Sequence, residues 1–140
     1  MKLPFPFFGL TTFGLNFLEY KSLIKGFFLF NLIAIIFANE QEITSLIEAK
    51  DFNEVINFSK QLKKLIVVTR GEKGAVAIQG EEIIETGIKQ NLKILDLTGA
   101  GDLFAAGFLH GYINKLSIKE SLENGTEMSS KIIQQIGARL

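Results

Sequence analysis

Residues Leu92 to Gly111 read LKILDLTGAGDLFAAGFLHG. LKILD is short and aliphatic, as a buried strand should be, and TGAG is a glycine turn. The rest brings Phe104, Phe108, Tyr112 and Leu116 round at four-residue intervals, which predicts a helix from about Gly101 toward Asn114. Gly107 and Gly111 leave room on that helix for close backbone packing. A strand passing through a glycine turn into a helix is the repeating unit of α/β sheets.

Working outward, the same grammar recurs. IAIIFA (Ile33–Ala38) and KLIVVTR (Lys64–Arg70) are continuous apolar runs of strand length, suited to strands covered on both faces. Between them, ANEQEITSLIEAK opens a short helix and DFNEVINFSKQLKK a second. In the second, Phe52, Val55, Ile56 and Leu62 share a face behind Asp51 as N-cap. GAVAIQ and EEIIET predict a hairpin at the sheet margin. A last helix starts near Ile118, with Leu122, Ser129, Ile132, Ile133 and Ile136 inward and a local interruption at Asn124–Gly125. The alternation predicts an α/β fold with a largely parallel sheet, and in such sheets ligands gather at the carboxyl ends of strands. NEQE, TRGEKG and TGAGD each follow a predicted strand end.

Composition narrows the chemistry. At 140 residues, 47% hydrophobic and 21% charged, the chain has the make-up of a folded domain. Lys and Arg balance Asp and Glu at 15 each, so no global field recruits nucleic acid or anionic lipid. Without cysteine there are no disulfides or thiolate metal sites, and one histidine, His110, argues against a His-based zinc centre. His110 is read as a surface or packing residue.

Residues 1–32 differ from the rest. Nine of the 13 phenylalanines fall within the first 37 residues, together with both prolines, and no clean periodicity organises them. Pro4, Pro6 and the lack of a small-x-small cleavage pattern argue against a signal peptide. FFLFNLIAIIFA (Phe27–Ala38) is short for a membrane span and contains Asn31, which favours a buried element. We expect two regions: an atypical Phe-rich segment, 1–32, arising from a shifted reading frame or truncated gene model, and an α/β region, 33–140.

Each strand-end motif has two readings. In TGAGD the glycines and the helix N-terminus behind them suit a phosphate or developing oxyanion, and Asp102 is then a general base; alternatively Asp102 only favours the helix's first turn. Asn39 and Glu42 have the spacing of a capping box, or lie near phosphate and on Mg²⁺. Thr69–Gly74 is a turn, or a loop whose glycines admit a nucleotide and whose Thr69 offers a hydroxyl. A dinucleotide fingerprint is disfavoured by Phe104 where a third glycine is needed, and no Gly-Lys-Ser/Thr phosphate loop is present.

Taken in order, Asn39 and Glu42 (NxxE), Thr69, Gly71 and Gly74 (TxGxxG) and Gly99–Asp102 (GAGD) resemble the ribokinase-type sugar and nucleoside kinases, the PfkB family. The specific part is DxTGAGDLFAAGFLHG, and the closing KIIQQIGAR is similar to the last helix of adenosine kinase-like members. Leu97 departs from the family's usual Thr, Ser or Pro after the signature's first Asp. The resemblance runs from about Ile33 to Leu140 and implies the C-terminal half of a ribokinase-like α/β/α sandwich. It implies transfer of the ATP γ-phosphoryl group to a hydroxyl of an adenosine-like nucleoside or a ribose- or fructose-like sugar. Asp102 would be the base, and backbone N–H groups of Gly99, Ala100, Gly101 and Asp102 would stabilise the transferring charge. ATP would lie against Asn39, Thr69, Gly71, Gly74 and Gly101, with Glu42 organising Mg²⁺ and Asn124–Thr126 near the base. A cytoplasmic enzyme with a small-molecule substrate, no nucleic-acid or membrane partner, and scope for a homodimer follows. The competing classes are a catalytically impaired nucleotide-binding fragment and a membrane-associated, non-enzymatic one.

Overall fold

The chain divides into two units, Met1–Ile33 and Ala34–Leu140. The computed structural model describes residues 35–137, within the second unit. The Phe-rich segment, and Phe27–Ala34 of the second apolar run, lie outside the described residues.

The order of elements is β1 (Ile35–Asn39), α1 (Glu40–Leu46), α2 (Phe52–Leu62), β2 (Leu65–Thr69), a single 3-10 turn (Gly71–Lys73), β3 (Ala75–Gln79), β4 (Glu82–Thr86), α3 (Ala100–Ile113) and α4 (Ile118–Ile132). The four strands form one sheet in sequence order. β1 and β2 are parallel, as the helical crossover between them requires, with Asn39 opposite Thr69. β2–β3 and β3–β4 are antiparallel, so the parallel character is confined to the first pairing of the described sheet.

Pleating explains why the strands read as unbroken apolar runs. Leu65, Val67, Ala75 and Ala77 face one side and pack with Phe104, Phe108 and Leu122 of α3 and α4. Ile66, Val68, Val76 and Ile78 face the other and pack with Ile43 of α1 and Val55 of α2. With both faces covered, neither set can be polar. The result is a helix–sheet–helix sandwich. Each fully buried Leu, Ile or Phe contributes about 1.5–3 kcal/mol.

Local chemistry sets the helix ends. Asp51 caps α2 by accepting from the Glu54 N–H, as its sequence predicts. Ser117 and Glu120 form a capping box that starts α4. The predicted interruption at Asn124–Gly125 does not occur, and α4 runs unbroken through it. Gly125 serves packing instead: a Cβ there would lie 2.8 Å from the Phe104 carbonyl oxygen. On the facing helix, a Cβ on Gly107 would lie 2.6 Å from the Asn124 carbonyl oxygen, and one on Gly111 would lie 2.9 Å from Ser121 Oγ. Three glycines thus let α3 and α4 approach closely, which outweighs the propensity cost of about 1 kcal/mol at Gly125.

Two further expectations are corrected. LKILD is not a strand: residues 92–96 are irregular, and Ile94 and Leu95 are 60% and 51% exposed. Their backbone has no strand neighbour among the described residues; the N–H groups of Leu95 and Asp96 donate to one carbonyl, that of Ile133. An apolar run specifies burial, but a strand also needs a partner edge. Ile136 is not on an inner helical face, because α4 ends at Ile132 and Ile136 is 87% exposed. Of the α3 stripe, Phe104 and Phe108 are buried, whereas Tyr112 and Leu116 are exposed. Among the described residues no helix is long and apolar enough to cross a membrane.

Candidate active site

The parallel register sets Asn39 and Thr69 side by side at the carboxyl ends of β1 and β2. Asn39 ends its strand and caps α1: its Oδ1 accepts from the Glu42 N–H at 2.8 Å, while Glu42 Oε2 accepts from the Asn39 N–H at 2.9 Å. The capping-box reading therefore holds. It leaves Asn39 and Glu42 at the surface, with the Glu42 carboxylate steered by one hydrogen bond.

Thr69 leads into the loop that the 3-10 turn rounds. The Arg70 N–H donates to the Gly74 carbonyl at 2.8 Å, closing the loop on itself. The two glycines differ in purpose. Gly71 (φ 57°) has nothing among the described residues, its chain neighbours aside, within 4 Å of where a Cβ would stand. At Gly74 (φ 84°) a Cβ would lie 2.0 Å from the Thr86 carbonyl oxygen, so its absence lets β4 pass.

Sequence reasoning overlooked two side chains here. Arg70 Nε donates to Glu40 Oε2 at 3.0 Å, and Lys73 Nζ reaches Glu40 Oε1 at 3.5 Å. The Arg70 guanidinium beside Glu40 holds that carboxyl below the usual glutamate range, its bonds and charge outweighing the opposing effect of burial. The visible signal was an acid directly after Asn39 and a base directly after Thr69, once the two strands are paired.

The Gly99–Asp102 turn is built otherwise. Gly99 caps α3 in the left-handed region (φ 77°), and Ala100, Gly101 and Asp102 form the helix's first turn. Asp102 and Gly101 are exposed, and among the described residues a Cβ on Gly101 would meet nothing within 4 Å beyond its own helix backbone. The Leu103 N–H reaches back to the Gly99 carbonyl at 2.9 Å. The Ala100 N–H donates to the Leu97 carbonyl at 3.2 Å, so it is already engaged. Gly101 and Asp102 sit where a helix leaves N–H groups without intrahelical acceptors, pointing outward from its positive end.

What anchors this turn is Asp96. Its Oδ1 accepts from the Thr98 N–H and hydroxyl at 2.9 and 2.7 Å, and its Oδ2 accepts from the Gly137 N–H at 2.9 Å. The Thr98 hydroxyl, then the Thr98 and Gly137 N–H groups, hold the Asp96 carboxyl below the usual aspartate range. The turn thus hangs from Gly137, in the segment that follows α4, rather than from a strand. Asn124 and Thr126 are occupied in packing: Asn124 lies against Gly107 and Gly111, and Thr126 Oγ1 donates to the Leu122 carbonyl. His110 is exposed on α3.

No group of three His, Cys, Asp or Glu side chains converges among the described residues. Mg²⁺ does not need one, since it retains waters and uses one or two carboxylates beside substrate phosphates. An exposed, hydrogen-bonded Glu42 in the first turn of α1 is a fitting oxygen ligand. A shallow depression of about 450 Å³ lined by Glu40, Thr44, Lys50, Asp51 and Phe52 contains none of the predicted site residues.

A family model for pfkB family carbohydrate kinases matches residues 25–140. The chain belongs to that family. A cytidine kinase of Thermococcus kodakarensis is 34% identical over 108 residues, 75% of this chain and 38% of the relative. The solved structure of an adenosine kinase from Sinorhizobium meliloti is similar with a TM-score of 0.74 at 39% identity, covering 77% of this chain and 33% of that one. A ribokinase of Arabidopsis thaliana, solved with ribose and ATP, has a TM-score of 0.72 at 30% identity, covering 79% and 38%. The chain thus spans about a third of the length of these pfkB-family relatives, and the fold of the described region is ribokinase-like.

Proposed function

We propose that the protein transfers the γ-phosphoryl group of ATP to a hydroxyl of a sugar or nucleoside. The observation that carries this reading is the Gly99–Asp102 turn: in a pfkB-family chain, an exposed carboxylate stands in the first turn of a 14-residue helix whose approach is open at Gly101. A carboxylate beside an anion-attracting helix end is unfavourable for phosphate unless it removes a proton.

Asp102 takes the proton of the attacking hydroxyl as its oxygen bonds to the γ-phosphorus, and the bond to the ADP oxygen breaks. A positioned base contributes ~10²–10⁴-fold. The N–H groups of Gly101 and Asp102 donate to the equatorial phosphoryl oxygens, while Gly99 and Ala100 shape the turn that aims them. Asn39 and Thr69, neighbours in register, offer donors to the phosphates of ATP, Gly71 leaves the loop surface open, and Gly74 seats it on Thr86. Mg²⁺, held through Glu42 directly or by water, would neutralise phosphate charge. The relatives named above comprise kinases of cytidine, adenosine and ribose, and we assign this chain a substrate within the same sugar and nucleoside class. We place it in the cytoplasm, with a homodimer compatible.

ADP release coupled to a reporter, over adenosine, cytidine, ribose and fructose, tests the reading with Asp102→Asn as control. Release with at least one acceptor, lost in the variant, supports it. ATP binding without release from any acceptor identifies a nucleotide-binding fragment instead. Activity that survives Asp102→Asn removes Asp102 as the base.

A further inference from the structure

Arg70 occupies the one point where the two sheet-end loops are joined by a forked ion pair among the described residues. Its Nε and Nη2 donate to the two oxygens of Glu40 at 3.0 and 3.4 Å, and its guanidinium lies 3.6 Å from the centroid of the Phe52 ring. Its side chain is 17% exposed, against 65% for Lys73, whose contact with the same carboxylate is longer. A planar fork on a carboxylate with a ring beneath it is a geometry that lysine does not reproduce.

The neighbours give this clamp its meaning. Glu40 follows Asn39 and precedes Glu42 by two residues; Arg70 follows Thr69, the register partner of Asn39. Loosening the clamp frees both turns to move on exposed backbone, and an unpaired Glu40 would add repulsion where phosphate is to bind. We propose that Arg70 is a positioning residue: gripped by Glu40 and Phe52, it locks the Thr69–Gly74 loop to the Asn39–Glu42 turn so that both meet the nucleotide as one rigid element. What the loops hold rests on the proposed phosphotransfer; the lock itself does not.

The test uses the full chain as wild type, Arg70→Gln, Arg70→Lys, Glu40→Gln and the Arg70→Gln/Glu40→Gln double variant. Amide exchange without ligand reads the lock directly. Arg70→Gln should accelerate exchange in the Asn39–Ile43 turn, and Glu40→Gln in Gly71–Gly74, each by about tenfold, the scale of one charge-assisted hydrogen bond. Arg70→Lys should restore only part of the protection. Calorimetric titration with MgATP should show each single variant binding about tenfold more weakly and the double no worse than either, with Tm held within about 5 °C. Acceleration confined to the substituted residue's own loop, additive losses in affinity, or full rescue by lysine each overturns the lock. A fall in Tm with exchange raised evenly across the sheet also overturns it, as a plain stability effect. A wild-type chain that binds no MgATP overturns the phosphotransfer reading instead, and the exchange result then decides the lock alone.

Discussion

The Thr69–Gly74 loop and the Gly99–Asp102 turn are both glycine-rich, yet the glycines serve opposite ends. Gly74 is closed in: its missing Cβ makes room for the Thr86 backbone. Gly101 is open: among the described residues, its own helix backbone aside, nothing stands within 4 Å of where its Cβ would be. The loops are also anchored differently. The first is strapped to the sheet by register and by the Arg70–Glu40 pair; the second is suspended through Asp96 from Gly137, in the segment that follows α4. A glycine's place in a motif therefore says nothing about whether it packs or leaves space.

This contrast can be broken at its strongest point first. Asp102→Asn keeps an exposed first-turn side chain of the same size, so Tm should hold while phosphoryl transfer falls ~10²–10⁴-fold. Normal turnover in a coupled assay would return Asp102 to a purely helical role. Gly74→Ala should destabilise by about 3 kcal/mol, from clash and backbone strain together, and lower Tm by about 10 °C or more. A thermal melt unchanged from wild type would mean that β4 does not pass where it is placed. Gly101→Ala is the converse. An alanine in a helix's first turn gains up to about 1 kcal/mol, so Tm should be level or higher, while the added methyl slows transfer about tenfold or more. If stability and turnover fell together, the open face would be disproved.

The smallest effect is in pH. The folded-state pKa values of Asp96 and Glu40 are both depressed, so the bonds they accept are at full strength above the ordinary carboxylate range. That stability is lost as pH falls through this range toward the lower folded values. Melting curves recorded from about pH 6 downward should show the loss, and Asp96→Asn should flatten part of it. Identical pH profiles for the two chains would show that Asp96 does not hold the turn.

Much of this was legible in advance, for reasons that differ by element. The two central strands could be read because both faces are covered, which forces LIVV and AVAI to be apolar throughout. The caps Asp51 and Asn39 could be read because capping is local chemistry over three residues. LKILD misled because its apolar residues carry the same signal as a paired strand, while pairing depends on a neighbour that the segment does not encode. Gly125 misleads because helix propensity takes no account of the Phe104 carbonyl that faces it. Arg70 carries no local signal because its partner is 30 residues away in sequence and adjoins it only when β1 and β2 are in register.

By itself, then, the sequence determined the local events: the alternation of strands and helices, the caps, the hairpin, and a family signature intact from Gly99 to Asp102. Each of these depends on side chains within a few residues of one another, where spacing stands in for geometry. The tertiary structure alone decided which glycine is buried, which strand has a partner, and that Arg70 joins two loops. Those depend on what lies opposite across a packed interface, and a Cβ or a guanidinium meets only what the fold has brought to it.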